Sequence, residues 1–512
     1  MRVIPGLFEV LRRHPEGALF ACVLGTAAYL SLAMPVFSQE AYYWTYAQHP
    51  DLSYYDHPPM VAWLILLGTT LFGDGAAGIR FGTWLCSAIV AWLGLALLRD
   101  MGITKRGRSA WLVLLLCVPI LGMTHFLANP DAPLVTAWIA TLLCLWRARD
   151  GVLHWWLLAG AAAGCALLSK YTAAFLLPGG ILVMLMDPRM RPQWRRPGPW
   201  LAVLVSAAVF SPVVIWNVLH DFESFRFQTA GRLERATPGL RWFGEFVGGQ
   251  FLVFNPVVAV AMACSIAFLS RRVRRDPRAL WLLAFALPMA GTFLVASVFM
   301  HVKVNWLAPV AATAALGTAV WWDEAIGRVP SRSWRVATWA AVSVTALLLF
   351  APLIRLFPQR KGATWFGWDR VAAAAEAWEE RVDTEDGVEG NMFFFAMDYK
   401  DAAQLTRSLS LHAKRSPVPD LLETTMAQNV LGRSALQFGL WENPRSRIGE
   451  NAILVLPRPE DRAEILAEAR SRFDAVERVE RIDVACLGID VLTVDLFVCR
   501  GYRGPAATEV GG

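Results

Sequence analysis

Apolar stretches of helical length recur along the first two-thirds of this chain, and short arginine-bearing turns separate them. They fall at 17–36, 79–98, 109–127, 132–146, 155–169, 171–186, 199–219, 247–269, 279–300, 305–322 and 334–354. A bilayer core of about 30 Å needs roughly 20 apolar residues per helix, so most of these have spanning length. The stretches 132–146 and 155–169 are shorter and predict helices that extend into their flanks or are broken. The pattern predicts an all-α polytopic bundle of about eleven spans.

Lys and Arg in the intervening loops set the orientation, because basic residues stay on the cytoplasmic side. Arg99, Lys105, Arg106 and Arg108 lie in one loop, and Arg147 and Arg149 in another. Arg189, Arg191, Arg195 and Arg196 follow, then Arg271, Arg272, Arg274, Arg275 and Arg278, then Arg328, Arg332 and Arg335. The alternate loops are poor in basic residues. Residues 37–78 contain no Lys or Arg, the turn at Asn129–Asp131 contains none, and the next two external turns hold only Lys170 and Lys303. In loop 220–246 four Arg are balanced by Asp221, Glu223, Glu234 and Glu245. Every basic loop then falls on the side of the N-terminus. The expectation is a cytoplasmic N-terminus and, with an odd number of spans, a tail outside the cytoplasm.

Composition agrees. Hydrophobic residues make up 56% of the 512, and charged residues only 18%. The formal net charge of +6 sits in turns beside apolar spans, so it reads as topological anchoring, and no nucleic-acid partner is expected. Arg2, Arg12 and Arg13 precede the run 17–36, which is too long for a signal-peptide core and reads as a first span. Six cysteines lie in apolar segments as small hydrophobes. Cys486 and Cys499 lie in the tail, where an oxidising compartment would let them pair. No cysteine spacing matches a zinc site.

Two regions depart from the spanning pattern. Residues 37–78 form a long external loop. Within it, 40–48 is aromatic and uncharged after Glu40, which predicts a helix along the membrane surface. Asp56-His57-Pro58-Pro59 breaks the chain, and 60–72 is apolar but too short to span. The tail has mixed-charge helical periodicity at 368–382 and 460–473 and β-rich runs at 391–397, 452–456 and 491–499. Alternating helices and strands predict a small α/β domain. The domain division is thus 1–357, a transmembrane region including loop 37–78, and 358–512, a soluble domain outside the cytoplasm.

Ionisable residues are few on the external side. A carboxylate inside the bilayer costs roughly 2.5–3.5 kcal/mol on insertion scales. Glu40 follows the first span, where it either meets a lipid-borne substrate or faces water as a helix-start carboxylate. Asp56 and His57 sit in a rigid Tyr- and Pro-rich loop, as a turn or as a binding loop. Asp131 in Asn129-Pro130-Asp131-Ala132-Pro133 reads alone as a helix N-cap. Lys170 interrupts about thirty apolar residues, and either snorkels to the interface or holds a phosphate. His301 and Lys303 share that ambiguity. Together these groups make one face suited to an anionic lipid headgroup, with a carboxylate able to activate an acceptor.

The motifs Gln39-Glu40-Ala41-Tyr42-Tyr43-Trp44, Tyr54-Tyr55-Asp56-His57-Pro58-Pro59, Asp74 to Arg80, Asn129-Pro130-Asp131-Ala132-Pro133 and Val302-Lys303-Val304-Asn305-Trp306-Leu307-Ala308-Pro309 occur in this order. The chain resembles the bacterial members of glycosyltransferase family 39, relatives of protein mannosyltransferases and of the lipid A aminoarabinose transferase. The resemblance covers roughly residues 17–320. It implies the GT-C fold, an inner-membrane location, and an inverting transfer of sugar from a polyprenyl phosphate donor to a lipid, glycan or protein acceptor on the external face. Glu40 or Asp131 would accept the acceptor's proton, while Asp56, His57, Lys170, Lys303, Tyr55 and Arg80 would bind substrate. The family's first-loop Asp-Glu pair is Gln39-Glu40 here, which moves the base to Glu40 or Asp131 or alters the activity. No metal or other cofactor is expected to be required, although the external carboxylates leave a divalent ion open. A flippase for a lipid-linked sugar and a non-catalytic family member are the competing readings.

Overall fold

A computed structural model describes residues 15–229, 231, 236–326, 331–350, 366–386, 392–413, 425–458, 462–486 and 489–505. Two compact units emerge from its contacts. The first comprises Met1–Ala33, Asp51–Gly73 and Ala77–Pro352, and the second Met34–Pro50, Asp74–Ala76 and Leu353–Gly512.

The first unit is helical, and a helix stands at every expected span. Among the described residues, five are long and apolar enough to cross a membrane: Pro15–Ala33, Ala76–Asp100, Pro197–Leu219, Pro277–Phe299 and Val304–Ala325. The number rises to seven when each of two bent pairs counts as one span, so eleven full-length spans are not seen. The expected spans 109–127 and 247–269 correspond to these bent pairs. Lys105–Cys117 meets Pro119–Phe126 at 77°, and Leu240–Val253 meets Pro256–Ser270 at 99°.

Proline explains both breaks, since it lacks an amide donor and its ring blocks the preceding turn. At the second break Asn255 takes φ +67°, and its side chain caps Val257 N at 3.1 Å. Asn followed by Pro is helix-start grammar inside an apolar run. Exposed polar backbone at membrane depth must find partners in protein. Helix Arg332–Phe350 supplies them to both breaks: Thr345 Oγ1 donates to Cys117 O at 2.6 Å, and Asn255 Nδ2 donates to Ala341 O at 2.8 Å and Thr345 Oγ1 at 2.9 Å.

Small residues bring neighbouring helices into close approach, as expected where lipid offers no hydrophobic drive for helix association. Leu153–Ser169 packs along Pro197–Leu219 through Gly160 and Gly164. A Cβ on Gly160 would meet Ala202 O at 2.3 Å, and one on Gly164 would meet Val209 Cβ at 2.5 Å. Met60–Phe72 folds back on Ala76–Asp100 in the same way. There a Cβ on Gly68 would lie 2.1 Å from Gly78 O, and one on Gly82 2.7 Å from Leu64 Cβ.

The second unit is an α/β structure. Its five strands are β1 (Met392–Ala396), β2 (Thr425–Met426), β3 (Asn451–Pro457), β4 (Phe473–Cys486) and β5 (Ile489–Tyr502), in the order β2-β1-β3-β5-β4. β1 is parallel to β2 and β3, while β5 is antiparallel to β3 and β4. Phe393, Phe395, Leu454, Phe473, Phe497 and Tyr502 fill one face. Cys499 lies opposite Val476, ten positions along β4 from Cys486. At about 3.3 Å per residue that is some 33 Å, so the two cannot form a disulfide. Cys499 is a free, buried thiol whose acidity burial suppresses.

Helix Ser38–Gln48, from the loop 37–78, belongs to this unit and packs against Tyr399–Ala413. It does not present one face to an interface, because Ser38 and Glu40 to Ala47 are all buried. Gln404 Nε2 donates to Val36 O at 2.9 Å, Trp44 Nε1 to Asp74 Oδ1 at 2.8 Å, and Gln437 N to Tyr42 Oη at 3.3 Å. The Tyr42 ring meets Tyr399 edge-to-face at 4.6 Å and stacks on Phe438 at 6.2 Å.

Two carboxyls in this unit make its stability depend on pH. Burial and the neighbouring Asp398 push Asp401 up to about 7, against the opposing pull of Arg462 and Arg458. Burial, Asp383, Glu376 and Glu380 push Glu379 up to about 7 as well. Each group releases its proton near the ordinary carboxylate value when unfolded and near 7 when folded. The folded state therefore binds more protons in between, and stability falls as pH rises from about 4 to about 7. Protection factors of helix Tyr399–Ala413 in the detergent-solubilised chain, corrected for the intrinsic pH dependence of exchange, should be larger at pH 5 than at pH 8. Asp401→Asn should flatten that difference.

Candidate active site

Three turns of the first unit converge on one carboxylate. Helix Asp131–Ala148 begins after Asn129-Pro130, and the Asn129 side chain performs the capping, accepting from Asp131 N at 2.9 Å and Ala132 N at 3.1 Å. Asp131 is thus released from the N-cap duty its position suggests. Its Oδ1 accepts from Lys170 Nζ at 2.7 Å, and its Oδ2 accepts from Asn305 Nδ2 at 2.7 Å.

Lys170 closes helix Leu153–Ser169, where the backbone leaves helical geometry at φ −164° and ψ 140°. Asn305 lies in the turn Val304–Leu307, which Gln250 braces by donating to Val304 O at 2.9 Å. Asp131 is 3% exposed and Lys170 7%, so the cation does not reach out to the interface. Removing one partner of a buried ion pair costs about 3–5 kcal/mol, because the other charge is left without compensation.

A second cluster adjoins through Tyr171, whose hydroxyl shares a 2.7 Å hydrogen bond with Ser224 Oγ. Ser224 lies on the short helix Glu223–Gln228, at whose end Gln228 Nε2 donates to Asp56 O at 2.7 Å. The Tyr55 and Phe227 rings are 5.0 Å apart. Asp56 Oδ2 and His57 Nε2 are 3.7 Å apart, with Asp56 buried and His57 half-buried. The loop carrying Tyr55, Asp56 and His57 is fixed at its start by Asp51, which accepts from Trp216 Nε1 at 2.8 Å and, through its carbonyl, from Trp63 Nε1 at 3.2 Å. Burial pushes the neighbouring Tyr54 phenol upward in pKa.

The structure therefore unites Asp131 with Lys170 and ties the Tyr55–His57 loop to the residue after Lys170. Other expected residues have contacts of their own. Arg80 is fully buried and donates through Nη1 to Ser31 O at 2.9 Å, bracing the helix Pro15–Ala33. Lys303 is exposed, two residues before Asn305. Glu40 belongs to the second unit, is 2% exposed, and accepts from Phe37 N at 3.0 Å as part of its own helix start. It does not face water there. Asn305, Tyr171, Ser224 and Gln228 carry contacts that sequence reasoning does not assign. Only Asn305 stood in a noted motif, and neutral amides carry no signal of their own there.

Among the described residues, no group of three or more His, Cys, Asp or Glu is placed to hold a metal ion.

Residues 56–216 match the family described as dolichyl-phosphate-mannose-protein mannosyltransferase. The chain is 30% identical over 295 residues to the lipid A galacturonosyltransferase RgtD of Rhizobium johnstonii, covering 56% of this chain and 61% of that one. It is 27% identical over 306 residues to the undecaprenyl phosphate-alpha-4-amino-4-deoxy-L-arabinose arabinosyl transferase 1 of Pseudomonas fluorescens, covering 56% and 52%. The alignments thus span between half and two-thirds of these relatives' lengths. The crystal structure of apo ArnT from Cupriavidus metallidurans superposes with a TM-score of 0.60 at 18% identity, covering 94% of this chain and 97% of that one. The segment 56–216, which holds both Asp131 and Lys170, matches the protein mannosyltransferase family, and the chain shares the fold of ArnT.

Proposed function

We propose that this chain is an inverting membrane glycosyltransferase that moves a sugar from a polyprenyl phosphate donor to lipid A or a related envelope glycan. The observation that carries this reading is the buried Asp131–Lys170–Asn305 cluster, formed where three turns of the bundle meet. The activities for which RgtD and the aminoarabinose transferases are named support it, as does a crystal structure of ArnT bound to undecaprenyl phosphate.

In the proposed reaction the acceptor hydroxyl attacks the anomeric carbon, and the lipid phosphate leaves from the opposite face. Lys170 neutralises charge as it builds on that phosphate, with His57 as a second cation when protonated. Asp131 takes the hydroxyl's proton. Asn305 holds Asp131 in orientation by occupying Oδ2. Glu40 is the less favoured base, since its carboxylate serves its own helix start. Tyr55 and Asp56 shape the pocket through the loop that Gln228 clasps. The topology proposed is multi-pass, with a cytoplasmic N-terminus, segment 1–357 as the membrane part, and 358–512 outside the cytoplasm.

The test is transfer by the purified chain in lipid nanodiscs, using radiolabelled undecaprenyl phosphate sugars and lipid A. Label moving to lipid A supports the reading, and label remaining on the polyprenyl carrier with every donor tried overturns it. Asn305→Ala should lower kcat about 10- to 100-fold, the loss of one hydrogen bond to a charged group, with little change in donor KM. A rise in KM at unchanged kcat would remove Asn305 from the reaction and leave it a binding contact.

A further inference from the structure

The parallel strands of the second unit end at a charged junction that the transfer reaction does not use. From β1 the chain runs through helix Tyr399–Ala413 to β2 at one edge of the sheet. From β3 it runs through helix Ala463–Arg472 to β4 at the other edge. β1 and β3 are parallel neighbours, with Ala396 opposite Val455. The space beyond their carboxyl ends is therefore a topological switch point, where open α/β sheets bind ligands.

Both loops at this point supply charge. Asp398 lies two residues beyond β1 and Asp401 in the first turn of the following helix. Arg458 directly follows β3, and Arg462 directly precedes helix Ala463–Arg472. Arg462 Nη2 donates to Asp401 Oδ2 at 3.0 Å and lies 3.8 Å from Asp398 Oδ2. The Arg462 side chain is only 10% exposed, yet its Nη1 has no acceptor among the described residues. A buried N–H left without a partner is costly. Asp398 cannot supply that partner through Oδ1, which already accepts from Lys400 N at 2.8 Å and Asp401 N at 2.9 Å. The N-terminus of helix Ala463–Arg472 adds partial positive charge at the same end of the sheet, while Asp398 already caps that of Tyr399–Ala413.

We infer that this switch point binds an oxyanion, a phosphate or carboxylate borne by a sugar or free in solution, with Arg462 as its principal donor and Arg458 as a second charge. Planar guanidinium groups match such oxyanions in geometry. The inference does not rest on the proposed transfer activity, since every residue it uses lies in the second unit.

The test is hydrogen exchange of the full-length chain in detergent, titrated separately with inorganic phosphate, glucose 1-phosphate and glucuronate. Saturable protection of the amides at 398–402 by at least one of these is expected, at least tenfold weaker in Arg462→Met than in wild type. The exposed Arg478 is the control, and Arg478→Met should leave the titration unchanged. Phosphate alone acting identifies a free-ion site, and tighter binding of glucose 1-phosphate or glucuronate identifies a sugar-borne group. No saturable protection of 398–402 in wild type overturns the inference even if Arg462→Met fails to fold. Equal effects of Arg462→Met and Arg478→Met overturn it too.

Discussion

Asp131→Asn is expected to lower sugar transfer by roughly 10²- to 10⁴-fold, the range typical of losing a positioned general base, while the protein stays folded. The amide keeps the size of the carboxylate and can still accept from Lys170 or Asn305. Lys170→Met should behave differently. It strands a buried carboxylate with one neutral donor, so it should destabilise the bundle by about 3–5 kcal/mol as well as ending transfer. The double variant Asp131→Asn with Lys170→Met removes both charges, and is expected to regain most of the stability without regaining activity. Thermal unfolding in detergent and the nanodisc transfer assay read the two effects separately. Near-normal transfer by Asp131→Asn would sink the assignment of the base.

Gly164→Leu should have an effect of similar size by a different route. Gly160 and Gly164 sit four residues apart on the helix that ends at Lys170, and they face Ala202, Ser206 and Val209 with no room for a Cβ. Side chains there must push two backbones apart. Overpacking of a tight core costs about 1–3 kcal/mol, and moving the helix also shifts Lys170 away from Asp131. Both the unfolding temperature and the transfer rate should fall. Gly180 offers the contrast, because nothing lies within 4 Å of a Cβ built there. Gly180→Ala should be neutral or slightly stabilising, given alanine's better helix propensity. Equal behaviour of the two variants would show that close helix approach at Gly164 is unimportant.

Much of the bundle is legible in the sequence because runs of apolar residues have few alternatives in lipid. The helix breaks are less so. Asn255-Pro256 spells a helix start, but hydropathy alone joins it to the flanking residues. The expected tail strands at 391–397, 452–456 and 491–499 correspond to β1, β3 and β5. β4 escapes notice because its outward positions are Glu and Arg, as in Glu477-Arg478 and Glu480-Arg481, which mask the β-branched residues between them.

The site is legible in part for a related reason. Asp131 and Lys170 stand out as charges in apolar surroundings, but their pairing spans thirty-nine positions and no local pattern encodes it. Asn305 is a neutral amide, so only its geometry reveals it. Arg80 ends a motif of the resemblance, and the structure shows its Nη1 donating to Ser31 O, a contact no local pattern encodes.

The composition of the second unit carries a consequence for biogenesis. Its aromatic helix Ser38–Gln48 leaves the ribosome well before its partners Tyr399 and Phe438, which are made some 350–400 residues later. Until then Tyr42, Tyr43, Trp44 and Tyr46 must wait unsheltered at the membrane while the bundle is inserted. A message truncated before the tail would yield a chain whose aromatic segment has nowhere to settle, and thus a ready substrate for proteolysis.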